Sequence, residues 1–271
     1  MKSPTNPANE AARLAALQGY EILDTGPDVA LDALTKLAAG ILNVPIALIS
    51  LVDADRQWFK SRHGLDASQT SREISFCGHV VAEGASLIVG DALTDARFAD
   101  NPLVTGDPGI RFYAGAPLRT AAGFTLGTVC AIDRVPRDIT KKQMEMLSMI
   151  AGLVVDRFET QRALAIRHRV VDAVRGMLAY WDRNQQCLFA NRAYEGWFGV
   201  SPHQLIGKTL RELLGSLYPL NLPYIEGALR GEVQAFEREI PDPTGAAERS
   251  KYPSILRATS YGRRRRSYVP S

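Results

Sequence analysis

No apolar run in the chain approaches the roughly 20 residues a helix needs to cross a bilayer, so no membrane span is expected. The opening residues, MKSPTNPANE, lack the apolar core of an export signal, and the expected location is the cytoplasm. Cysteine is scarce. Cys77, Cys130 and Cys187 are odd in number and far apart, which argues against a disulfide framework or a C-x-x-C metal clip and suits a reducing compartment. There is no G-x-x-x-x-G-K-[ST] phosphate loop, no kinase signature set, no H-E-x-x-x-P box and no G-G-D-E-F or E-A-L motif. No DNA-binding helix-turn-helix is evident either. These absences leave no catalytic residue and no metal ligand set to nominate, and no cofactor is predicted.

What is present is the balance of a globular protein, with 46% hydrophobic and 23% charged residues over 271 positions, enough for two ordinary domains. The net charge of +3 is carried by the end of the chain. Residues 251–271 hold six basic side chains and no acid, and the remainder has 26 basic against 29 acidic residues. A mildly acidic body gives no nucleic-acid surface.

Along the chain, Ala12, Leu14, Leu17 and Ile22 recur at helical spacing after Asn9, a candidate N-cap. Leu31, Leu34, Leu37, Ala38, Ile41 and Leu42 form a second helical stripe. The run 46–52 predicts a buried strand, Asp53-Ala54-Asp55 a turn, and Gln57 to Arg62 the returning strand of a hairpin. Phe76 to Glu83 predict a short helix, and Ser86 to Val89 a short strand. Phe112 to Leu118 and Leu126 to Ile132 predict two strands around Gly123. Met144, Leu147, Ile150, Val154 and Phe158 then open a long helix over 140–174, read as a linker. Antiparallel strands flanked by helices make an α+β domain.

The stretch from Asp95 to Asp133 carries the most information: D-x-R-F-x-x-N-P-x-V, then R-F-Y-A-G-A-P-L, a glycine turn and L-G-T-V-C-A-I-D. This wording resembles the GAF sensory domains of bacterial signalling proteins. From Met177, two short strands around D-R-N-Q lead to a helix opening at Asn191 and then to F-G-x-S-P-x-x-L-I-G-K. That pattern resembles a PAS domain. The resemblance implies an α+β chain of two sensory domains, each an antiparallel sheet flanked by helices, joined by the long helix. The expected divisions are 1–165 for the GAF-like domain, 140–174 for the helix overlapping its end, 175–248 for a partial PAS-like domain, and 249–271 for a disordered basic tail. The change of composition near Arg249 is read as a truncated or frame-shifted end, the alternative being an ordinary tail.

In the first domain the candidate ligand-binding residues are Cys77, His79, Asp95, Arg97, Phe98, Asn101, Arg111 and Tyr113. Arginine forks suit a carboxylate or phosphate, and Arg97 and Arg111 flank one loop. The other open reading is structural, with Asp95 pairing Arg97 and Asn101-Pro102 fixing a turn. Cys77-Gly78-His79 offers too few ligands for zinc and predicts a buried thiol beside a surface or capping histidine. It does not match GAF domains that attach a bilin. In the second domain Trp181, Asn191, Tyr194, Trp197 and Phe198 are candidate cavity residues, with plain aromatic core as the alternative.

The resemblance implies a sensory protein that binds an unknown small ligand or partner and lies at the input of a histidine kinase or diguanylate cyclase. The position of the linker helix between two domains suits a homodimer paired along it, the alternative being that the helix packs on its own sheet, and the expected partner downstream is a signalling protein or a missing output domain. Two other functions stay open: a thiol-dependent reductase of the GAF methionine-sulfoxide type using Cys77, and a dimerisation scaffold.

Overall fold

The computed structural model describes residues 1–240 and 250–256. One compact unit ends at Leu164 and a second begins at Ala165. The first contains α1 (Glu10–Gly19), α2 (Val29–Leu42), β1 (Ile46–Val52), β2 (Arg56–His63), β3 (Gln69–Ser71), α3 (Phe76–Glu83), β4 (Leu87–Val89), α4 (Pro102–Thr105), β5 (Phe112–Arg119) and β6 (Thr125–Asp133). The long α5 (Lys141–Asp172) follows. Six antiparallel strands form one sheet in the order β3-β2-β1-β6-β5-β4.

Strand geometry sends successive side chains to opposite faces, and this sheet is covered on both. Ala47, Ile49 and Leu51 of β1 join one core with Leu17, Leu31, Ala38, Leu147, Ile150, Val154 and Phe158, supplied by α1, α2 and the first part of α5. Ile46, Leu48 and Val52 join a second core with Phe76, Cys77, Val80, Val81 and Phe98 from α3 and the loop after β4. Burial on both faces is why β1 is a continuous apolar run rather than an alternating one.

Local signals set the element ends. Asp28 Oδ1 accepts from the amide of Ala30 (2.9 Å), starting α2. Ser75 Oγ accepts from Gly78 N (2.6 Å), starting α3, and Gly84 ends it in the left-handed region. Asn9 stands at the N-cap of α1 but makes no side-chain cap bond. Gly127 in β6 is required by close approach, since a Cβ there would lie 1.9 Å from the Ser50 carbonyl oxygen.

Every buried residue of α5 precedes Glu159. The second unit continues with β7 (Ala179–Trp181), β8 (Cys187–Ala190), α6 (Ala193–Phe198), α7 (Pro202–Leu205), α8 (Leu210–Leu214), α9 (Tyr218–Leu229), β9 (Gln234–Ile240) and β10 (Ser250–Leu256). The β7–β8 turn is held by Asp182 Oδ1, which accepts from Asn184 N and Gln186 N (2.8 Å each). Capping boxes Ser201–Gln204 and Thr209–Glu212 start α7 and α8. Its core is small: Cys187, Ala190, Tyr194 and Leu205, with Met177, Ala179, Trp181, Phe198, Val200 and Leu213 packed around them.

Two expectations are corrected. Helix α6 begins at Ala193 with Arg192 at its cap position, so Asn191 does not cap it. Ser250–Leu256, read as part of a tail, pair antiparallel with β9 along their whole length. Pairing uses backbone groups whatever the side-chain pattern, and Pro253 inside the strand removes the alternation a sequence reading relies on. Residues 241–249 and 257–271, including the arginine run, lie outside the described residues.

Candidate functional site

Beneath α3, the second face of the first sheet carries a buried polar cluster. Thr128 and Cys130 are two apart on β6 and share a face. Tyr113 reaches them from β5 and Cys77 from the first turn of α3. Thr128 Oγ1 donates to Cys77 Sγ (3.1 Å), and the Tyr113 hydroxyl donates to the same sulfur (3.5 Å). Cys130 Sγ lies 3.9 Å from Cys77 Sγ. Ser50, paired with Thr128 across β1–β6, approaches Gln57 Oε1 (3.4 Å), and Gln57 Nε2 donates to Thr70 (2.6 Å). Gly115 makes room for this arrangement: a Cβ there would meet the Tyr113 hydroxyl at 2.3 Å, so the phenol lies across the glycine.

The two thiols differ electrostatically. Burial raises Cys77, but hydrogen bonds from Cys130, Thr128, Tyr113 and Ser50 outweigh it and draw that thiol below its ordinary range. The same contact with Cys77, together with burial, pushes Cys130 well up. Burial and the neighbouring thiols also push the Tyr113 phenol well up, keeping it a donor.

An aromatic layer covers the cluster. Phe76 stacks on Phe98 with centroids 4.0 Å apart, and its ring lies 5.1 Å from that of Tyr113. His79 meets Phe98 edge-on at 5.0 Å, and the Arg97 guanidinium sits 5.1 Å from the centroid of the same Phe98 ring. His79 is buried rather than at the surface; its Nε2 lies 3.0 Å from the Lys2 carbonyl, and burial lowers its pKa.

The loop residues make the contacts that the structural reading describes. Asp95 is forked by Arg97 (2.7 and 3.0 Å) and also accepts from the Arg97 amide (2.9 Å). Buried Asn101 accepts from Leu103 N and donates to the Ile74 carbonyl (2.9 Å each). Arg111 is forked onto Asp91 at 2.8 Å, so each of the two arginines is paired with a carboxylate of its own. A hollow of about 390 Å³ lies elsewhere, lined by Pro4, Asn6, Ala54, Asp55, Ser71, Arg72 and Glu73. Of the candidate residues, Cys77 and Tyr113 meet directly, and His79, Arg97 and Phe98 form one layer above them. Thr128, Cys130, Phe76 and Gly115 were missed. The T-x-C spacing in β6 is the signal that could have found the first two.

In the second unit Tyr194 and Phe198 stack at 5.9 Å within the small core, and burial raises Tyr194 to about 12. Trp181 packs on the same core, and Trp197 is partly buried on α6. Asn191 is fully buried. Its Oδ1 accepts from Leu178 N (2.9 Å), and its Nδ2 donates to the carbonyls of Gly176 (2.9 Å), Val171 (3.2 Å) and Val174 (3.3 Å). Arg192 N donates to Asp172 Oδ1 (2.9 Å). Together these bonds tie the end of α5 to the β7–β8 hairpin.

The architecture is a six-stranded antiparallel sheet with a long exit helix, followed by a second unit of helices and short antiparallel sheets. Residues 26–156 match the GAF domain family and residues 171–259 match the PAS fold family. The chain therefore carries a GAF domain followed by a PAS domain, and this pairing supports a sensory signalling role. Among curated relatives, it is 43% identical over 164 residues to a cyclic di-GMP phosphodiesterase of Pseudomonas aeruginosa. That match takes in 60% of this chain and 28% of the relative, so the chain spans little more than a quarter of that protein. Similar solved structures include the GAF domain of a phosphoenolpyruvate-protein phosphotransferase from Coxiella burnetii (TM-score 0.45, 13% identity, covering 60% of this chain and 99% of that one). Another is a free methionine-R-sulfoxide reductase from Neisseria meningitidis (TM-score 0.43, 19% identity, 60% and 99% covered). No helix among the described residues is long and apolar enough to cross a membrane.

Proposed function

We propose that this chain is a sensory input segment whose output is the turnover of cyclic di-GMP. The observation that carries this reading is the 43% identity to a phosphodiesterase acting on that messenger. On this reading a change beneath α3 alters the packing of α5 against the GAF sheet, and the bonds of Asn191 and Asp172 pass it to the PAS hairpin as a two-state bias. A second copy of the chain packs along α5, where Met149 and Leu153, one turn apart, are 70% and 53% exposed. The site of action is the cytoplasm, where the messenger is made and consumed.

The test is to put this chain in place of the matching segment of the Pseudomonas aeruginosa enzyme and measure cyclic di-GMP hydrolysis. Deleting one residue from α5 between Arg162 and Arg167 rotates everything after it by about 100°. A change in hydrolysis rate of threefold or more is expected; an unchanged rate rejects transmission through the helix.

One observation favours a second reading, a thiol-dependent reductase of the methionine-sulfoxide type: the nearness of Cys77 to Cys130. Free methionine-R-sulfoxide turnover that Cys77→Ser abolishes supports it, and no turnover by the wild type removes it.

A further inference from the structure

We propose that Cys77 and Cys130 form a reversible dithiol–disulfide pair, with Cys77 the sulfur that a hydroperoxide oxidises and Cys130 the resolving thiol. The two residues are 53 positions apart in sequence, yet α3 and β6 bring their sulfurs to 3.9 Å. A disulfide needs about 2.05 Å between the sulfurs, so forming it draws two side chains that already touch closer together. The surroundings assign the roles. Cys77 occupies the second position of α3, where the helix dipole favours negative charge, and it receives the hydroxyls of Thr128 and Tyr113. Cys130 lies in the middle of β6, between its partners Leu48 and Gly115, where Thr128 and the Leu48 backbone donate to it but neither Tyr113 nor Ser50 does. Its electrostatics agree, since it holds its proton more tightly than Cys77 does.

The chemistry balances. Cys77 as thiolate attacks the O–O bond of the hydroperoxide, forming Cys77–S–OH and releasing the alkoxide or hydroxide, which takes up a proton. The Cys130 sulfur then displaces hydroxide from the sulfenic acid. The S–S bond forms, the Cys130 proton leaves with that hydroxide as water, and two electrons have passed from the thiols to the peroxide. A cellular dithiol returns the pair to its reduced state by exchange. Residues 2–4 lie across the same turn of α3. Lys2 N donates to the Arg97 carbonyl (3.0 Å), and a Cβ at Gly78 would meet the Pro4 ring at 2.6 Å. This segment limits access to Cys77 and favours small oxidants.

The experiment exposes the reduced full chain to hydrogen peroxide without denaturant. Free thiols are then blocked after unfolding, and peptides are mapped by mass spectrometry. The expected result is a fall from three blocked thiols to one, a peptide linking Cys77 to Cys130, and recovery of all three with dithiothreitol. In Cys130→Ser, dimedone is expected to trap a sulfenic acid on Cys77; in Cys77→Ser, none is expected on Cys130. Three free thiols in wild type, at peroxide exposure that oxidises an exposed cysteine in a reference protein, overturn the proposal. So does a link through Cys187. The wild-type result decides the matter even if a variant fails to fold.

Discussion

The two faces of the GAF sheet are built from the same strands but for different ends. The face toward α1, α2 and α5 is almost wholly aliphatic and aromatic, with Ile49, Leu51, Phe112, Leu118, Leu126 and Phe158 at or near zero exposure. The face toward α3 interleaves Leu48 and Ile132 with Ser50, Tyr113, Thr128 and the two thiols. Alternation along β6 gives Val129 and Ala131 to the first and Thr128 and Cys130 to the second. Burial of apolar surface stabilises the first face without regard to direction, whereas the second depends on donors meeting acceptors at defined distances. The contrast teaches that apolar burial alone can hold one face, while the other holds only if its polar groups stay matched.

The comparison breaks most visibly at Phe158. Phe158→Ala removes a buried ring and is expected to cost about 3–5 kcal/mol of stability in urea unfolding, with peroxide reactivity of the thiols unchanged wherever the variant is folded. A loss below about 1 kcal/mol would mean that apolar burial does not hold this face. On the other face, Gly115→Ala pushes the Tyr113 ring from its place and is expected to cost about 1–3 kcal/mol by overpacking. It also changes Cys77 alkylation rates, which Phe158→Ala does not. Tyr113→Phe is milder: loss of one hydroxyl donor is expected to cost about 0.5–1.5 kcal/mol and to raise the pH at which Cys77 reacts with iodoacetamide. An unaltered pH profile would show that the phenol does not tune that sulfur.

The smallest effect concerns an ion group at the edge of the aliphatic face. Glu10 bridges Arg13 (2.7 Å) and Arg72 (2.5 Å), and buried Arg13 also donates to the Val52 carbonyl (2.8 Å). Partial burial raises the Glu10 carboxyl, but hydrogen bonds and charge from the two arginines win and hold it at about 2 instead of 4.5. A depressed carboxyl stabilises the fold fully above its unfolded value and loses that contribution as pH falls through its folded value. The stability difference between wild type and Glu10→Gln is therefore constant above about pH 5 and shrinks from about pH 4.5 toward 2. A difference that stays level across that window would contradict the bridge.

Much of this protein is legible in its residues because the relevant forces are local. The apolar run at 46–52, the stripe from Met144 to Phe158 and the Asp182 turn each follow from neighbours within a few positions. The Asp95–Arg97 pair belongs with them, since its partners are two residues apart. Arg111 with Asp91, twenty residues distant, does not. Asn191 is the instructive miss. An asparagine before a helix is a good cap by local rules, yet here both ends of its amide bind carbonyls and an amide from 171–178, a use that no local pattern announces.

The sequence by itself determined where the long strands and helices of the first unit form and which residues of each strand share a face, because period and burial are written along the chain; the short β3 and α4 and the strand Ser250–Leu256 were not written there. Only the tertiary structure decided that Cys77 would stand against Cys130, Thr128 and Tyr113, and that Asn191 would fasten the end of α5. Those contacts depend on the register between elements tens of residues apart, which the packing of α3 on β6 and of the β7–β8 hairpin on the helix end sets.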